Sequence, residues 1–139
     1  MAYIPRAVRR RVATTAGHRC GYCQTSQQIS GAQMHVEHIM PLAHGGTSDE
    51  SNLWLACGWC NSYKGAKTHG IDPLTGVEAP LFSPRKQQWS EHFLWSTNGS
   101  EIVGLTAIGR ATVRALRLNN EYIVASRRQW VAAGWHPPK

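Results

Sequence analysis

The sequence has no apolar run approaching the ~20 residues that cross a bilayer, so no membrane-spanning helix and no membrane partner are expected. No secretory leader is expected: Val12-Ala13-Thr14-Thr15-Ala16-Gly17-His18 follows a basic start but is too short and polar for an apolar leader region. There are no internal repeats, no low-complexity tract and no clean linker, so one domain over residues 1–139 is expected. Acidic residues are scarce, with 8 Asp and Glu against 15 Lys and Arg. Hydrophobic residues make up 42%, more than a disordered chain carries. The expectation is a soluble, cytoplasmic protein with a small core.

What is present is basic charge, net +7, with a pI near 9.7. Arg6, Arg9, Arg10, Arg11 and Arg19 open the chain without an intervening acid. Arg110, Arg114, Arg117, Arg127, Arg128 and Lys139 face only Glu121 near its end. A basic surface attracts polyanions, nucleic acid foremost; charge alone fits a solvated face equally well.

The cysteines come as two pairs, Cys20-Gly21-Tyr22-Cys23 and Cys57-Gly58-Trp59-Cys60. Paired Cys-x-x-Cys knuckles read as a tetrahedral thiolate site for structural zinc; two tight disulfides are the alternative, one that a reducing compartment disfavours. Around the knuckles, Pro5 and Gly17 bracket a helix. Met34 to Met40 and Leu53 to Cys57 read as strands, and Asn61 to Lys67 as a helix ended by Gly70. Ile71 to Pro84 reads as an irregular segment. Ile102 to Leu105 suits a strand, and Thr106 and Asn119 or Asn120 suit helix caps. Trp89, Phe93, Trp95, Trp130 and Trp135 are expected in the core.

Between the knuckles lie His35-Val36-Glu37-His38-Ile39, Gly45-Gly46 and Asn52-Leu53, and directly after them Asn61-Ser62-Tyr63-Lys64. An acid beside a histidine, with asparagines 14 and 23 positions beyond that histidine, resembles the HNH endonuclease family in its four-cysteine form. The resemblance is specific from Cys20 to Lys64. A looser one, through Asp72-Pro73, Pro80-Leu81-Phe82, Pro84-Arg85, Glu91-His92-Phe93, Gly109-Arg110-Ala111-Thr112 and Trp135-His136-Pro137-Pro138, extends to the tail of stand-alone bacterial members.

The resemblance implies an α+β fold: a ββα-metal, or His-Me finger, unit over 20–68 with a four-cysteine zinc site. An N-terminal helix and a helical C-terminal extension, 71–139, would pack on it. It implies a metal-dependent DNA endonuclease. His38 would be the general base, and Glu37 and Asn61 would hold one catalytic Mg2+ or Mn2+. Asn52 would hold the hairpin loop so that His38 points inward. Glu37 stands where Asp is more usual in the family; Asn61 stands where some members carry His, and its amide oxygen is a harder ligand that favours magnesium.

Lys64, one turn after Asn61, is a candidate phosphate contact, as are Arg110, Arg114 and Arg117, spaced to share a helix face. His35 reads equally well as a further ligand or phosphate contact and as a half-buried structural histidine; His44 reads as a solvated loop residue before a substrate contact, and His92 as a structural partner of the aromatics before a functional residue. A monomer would nick one strand, and a homodimer would give double-strand breaks. The rivals are a zinc module that binds nucleic acid without cutting, and an RNA-directed nuclease.

Overall fold

The computed structural model describes residues 3–139, and among them no helix is long and apolar enough to cross a membrane. The fold is α+β, and the chain divides into two compact units: the described residues up to Thr68 with Ser83–Gln87, and His69–Phe82 with Gln88–Lys139.

The first unit opens with α1, Arg6–Thr15. Pro5 stands just before it, and Gly17 leaves it in the left-handed region at φ 63°, so the bracketing residues act as expected. Val8 and Val12 lie one turn apart and face inward. They join Ile4, Leu53 and Val36 in a small apolar core while the arginines stay outside. The first knuckle is tied to the second strand by Gly21 N–H donating to Leu55 O at 2.9 Å. After it, Ser26 caps a one-turn helix, α2, Gln27–Ser30.

β1, Met34–His38, and β2, Leu53–Cys57, form an antiparallel hairpin with Met34 opposite Cys57 and His38 opposite Leu53. β1 therefore ends two residues earlier than expected. α3 spans Gly58–Lys64 rather than Asn61–Lys67, and Gly65, not Gly70, closes it. The reason is sulfur: Cys57 Sγ accepts from Cys60 N–H at 3.4 Å and caps the helix, so the knuckle is itself the first helical turn. β1, β2 and α3 together make the ββα unit.

The second unit begins where no regular structure was expected. β3, His69–Ile71, pairs with β4, Glu78–Pro80. The turn between them is organised by Asp72, whose carboxylate accepts from Leu74 N–H at 2.9 Å and from the Thr75 hydroxyl at 3.1 Å, an Asx turn that lets so short a hairpin close. A one-turn helix, α4, Trp89–His92, leads into β5, Phe93–Trp95, which pairs with β6, Ile102–Gly104. Two helices follow: α5, Ala107–Ala115, capped by Thr106, and α6, Glu121–Ala132, capped by Asn120. Phe82, Phe93, Ile102, Leu116 and Leu118 are fully buried here. Trp89, Trp95 and Trp130 are half-buried, whereas Trp135 is 59% exposed and is not core.

Candidate active site

The four cysteines are buried free thiols whose sulfurs all lie within 4.8 Å of one another. Cys23 and Cys57 are 3.6 Å apart. A tetrahedron with Zn–S near 2.3 Å has edges of about 3.8 Å, so the donor set matches that ion in chemistry and size. Burial pushes the Cys20 thiol well up. Hydrogen bonds from Cys20, Cys57 and Cys60 hold Cys23 well below the usual thiol range. One sulfur is thus favoured as thiolate by its neighbours, and a cation would displace the remaining protons.

The loop joining β1 to β2 folds around Asn52. Its side chain donates to Thr47 O at 2.7 Å and Met40 O at 3.0 Å, and accepts from Met40 N–H at 2.8 Å. Its carbonyl accepts from Ile39 N–H at 2.8 Å. One residue therefore grips the chain on both sides of the loop. The two glycines make the return path available. Gly45 turns at φ 85°, and a side-chain carbon on Gly46 would collide with the Met40 carbonyl.

Glu37 and His38 are adjacent on a paired strand, so they face opposite ways. Glu37 is 6% exposed. One carboxylate oxygen accepts from the Tyr22 hydroxyl and the other meets Lys64 Nζ at 3.2 Å. Burial raises the Glu37 carboxyl above its ordinary range, against the pull of Lys64 and Tyr22. Burial, with Glu37 beside it, also keeps Tyr22 protonated as a donor. Lys64 is 2% exposed, and its ammonium donates as well to His38 O at 3.1 Å and Ile39 O at 3.0 Å. Three N–H groups meet three acceptors. The expected phosphate contact is instead an internal cation that pins the end of β1 to α3.

His38 is half-buried, and its Nε2 lies 2.9 Å from Ser48 Oγ. Burial first, and Lys64 second, lower its pKa, so the ring stays neutral further into acid than a free histidine. Asn61 is the fourth residue of α3, not in its first turn, and is half-buried three positions before Lys64. His35 is half-buried on the strand face of Glu37, and His44 is exposed in the loop.

The basic stripe does not form as spaced. Arg110 makes a two-pronged ion pair with Asp72, both contacts at 2.9 Å. Arg117 lies beyond the end of α5 with φ 48°, so it leaves the face that Arg114 still presents to solvent. His92 bonds Thr106 at 2.7 Å and packs edge-on against Phe82, a structural role. Trp59, inside the second knuckle, is 45% exposed and stacked on Tyr63. Two residues escaped the sequence reading: Tyr22, as donor to Glu37, and Ser48, as partner of His38.

The structure places His38 beside Ser48, and Glu37 on the opposite strand face, where Tyr22 and Lys64 engage its two oxygens, with Asn61 half-buried on α3; imidazole, carboxylate and amide are group types used in water activation and hard-cation binding. No curated protein and no solved structure matches the chain. Residues 20–67 match the family model described as HNH endonuclease.

Proposed function

We propose, from the HNH endonuclease domain that the chain carries at residues 20–67, that the protein is a metal-dependent endonuclease acting on DNA. His38 takes a proton from the attacking water, which its neutral ring suits. That water displaces the 3′-oxygen from phosphorus, leaving 5′-phosphate and 3′-hydroxyl ends. Glu37 and Asn61 would hold one Mg2+ or Mn2+. They supply a carboxylate and an amide oxygen, hard donors that suit those ions. Such an ion, when bound, would supply positive charge against the phosphoryl and leaving oxygens. Because Lys64 already balances Glu37, the substrate's phosphate is expected to bring the charge that makes ion binding favourable. The cysteine cluster would hold structural Zn2+ and fix where α3 starts.

The observation that carries this reading is His38 itself: its carbonyl is held by Lys64, its ring meets Ser48, and a buried carboxylate precedes it. Net charge +7 supports a polyanionic substrate. Arg6, Arg9 and Arg10 on the outer side of α1, and Arg114 and Arg128 in the second unit, are among the exposed arginines that phosphates could meet. The test is digestion of supercoiled plasmid and of RNA by wild type and His38→Ala, with magnesium or manganese and end mapping. Nicked or linear DNA with wild type only is expected. Binding without cutting by wild type would favour a non-catalytic zinc module, and preferential RNA cleavage would redirect the substrate. Nicked circles against linear product distinguish a single-strand cutter from a paired homodimer.

A further inference from the structure

We infer that Ser48 is the positioning residue for His38: its hydroxyl oxygen accepts the Nε2 proton, which fixes the tautomer and leaves Nδ1 as the proton-accepting atom. The inference rests on the proposed base role of His38.

The contact admits two polarities. If the hydroxyl donated to Nε2, the neutral ring would carry its proton on Nδ1, and neither nitrogen would be free to accept one from water. If Nε2–H donates, Nδ1 keeps its lone pair. Among the described residues Nδ1 has no hydrogen-bond partner, whereas Nε2 has Ser48 at 2.9 Å. The second polarity is thus the one compatible with base catalysis, and it follows the general pattern in which a base is aimed by a third group on its far nitrogen.

Ser48 is itself held. Thr47 before it gives its carbonyl to Asn52 Nδ2 at 2.7 Å, and Asp49 after it gives its carbonyl to Asn52 N–H at 2.8 Å. On the other side of the pair, Asn52 also binds Ile39 and Met40 directly after His38. Both ends of the Ser48–His38 contact therefore rest on one asparagine. This defines a chain of positioning from Asn52 through Ser48 to the imidazole, in which only the last member meets the reacting water.

The test uses the full zinc-loaded chain with 15N-labelled histidine, the ring held neutral, and His38→Gln to assign the His38 signal among seven histidines. Ring nitrogen shifts report which nitrogen carries the proton, without any cleavage. Wild type is expected in the Nε2–H form, Ser48→Ala in a mixture, and Ser48→Thr restored to wild type. In cleavage, Ser48→Ala should lower kcat by roughly ten- to a hundredfold with KM little changed, as for misaimed groups, and Ser48→Thr should recover most of it. An Nδ1–H ring in wild type, or an Ala variant with unchanged tautomer and kcat, overturns the inference. A Ser48-dependent tautomer in a protein that cuts neither DNA nor RNA overturns the base role instead, and with it the endonuclease reading, while the positioning contact stands.

Discussion

The two units are stabilised by different means. In the second, Phe82, Phe93, Ile102, Leu116 and Leu118 are buried side chains that exclude water by bulk, and the Trp89, Phe93 and Trp95 rings pack at 5.1–5.3 Å. In the first, the apolar core is Ile4, Val12 and Leu53 with Val8 and Val36 at its edge. The balance is made up by four sulfurs and by two polar pins, Asn52 and Lys64. Hydrophobic burial is non-directional, whereas hydrogen bonds and metal–thiolate bonds fix angles. A unit held by directional contacts can hold a histidine and a carboxylate at set positions with little core. The cost is dependence on a few atoms.

Removing the structural zinc proposed for the four sulfurs should break the contrast most sharply. Chelation, or Cys57→Ser, forfeits a binding energy of roughly 10–16 kcal/mol that is largely folding energy in small zinc domains. Hydrogen exchange is expected to show β1, β2 and α3 losing protection while α5 and β6 keep theirs; equal protection throughout would mean that the cysteines hold no ion of consequence. His38→Ala should reduce cleavage by roughly 10²–10⁴-fold with zinc content and melting little changed, since among the described residues the ring's hydrogen bond is to Ser48; retained cleavage would remove His38 as base.

Lys64→Met leaves the Glu37 carboxylate buried without its cation and should cost the first unit about 3–5 kcal/mol. Adding Glu37→Gln should return part of that in urea unfolding. A single variant as stable as wild type would show that the pair lies open to water.

The smallest effect belongs to the second unit. Arg110, as hydrogen-bond partner, holds the Asp72 carboxyl well below the usual carboxylate range. Its contribution is therefore fully present above the unfolded value of about 3.9 and is lost as pH falls through the depressed folded one. The melting-temperature gap between wild type and Asp72→Asn should be constant near neutrality and close as the pH drops below about 4. A gap that persists in strong acid would assign the effect to turn geometry rather than to charge.

Much of this was legible from residue order alone, because the signals are local. Cysteine spacing indicates a clustered thiolate site. Thr106, Asn120 and the Pro5–Gly17 bracket mark helix ends through their own backbone chemistry. What stayed illegible depends on where distant segments come to lie. Lys64 reads as a phosphate contact until Glu37, His38 and Ile39 supply three internal acceptors for it. Ser48 is one polar residue among several in a glycine-rich loop, and only the path set by Asn52 brings it to His38. The β3–β4 hairpin has three-residue strands with Gly70 inside, too short for a hydrophobic period to register. The start of α3 was misplaced because a sulfur cap is invisible to rules written for hydroxyl and carboxylate caps.

The short stretch Ser83–Gln87 returns to the first unit after a second-unit excursion. Arg85 lies 5.0 Å over the Trp54 ring and donates twice to Leu53 O, and Pro84 packs so closely with Trp54 around Gly21 that no side chain fits there. Excising the chain at residue 67, where the family match stops, would strip the lid from an indole beside the first knuckle. The excised piece should be sticky and short-lived in solution, and a graft carrying residues 83–87 back onto it should restore good behaviour.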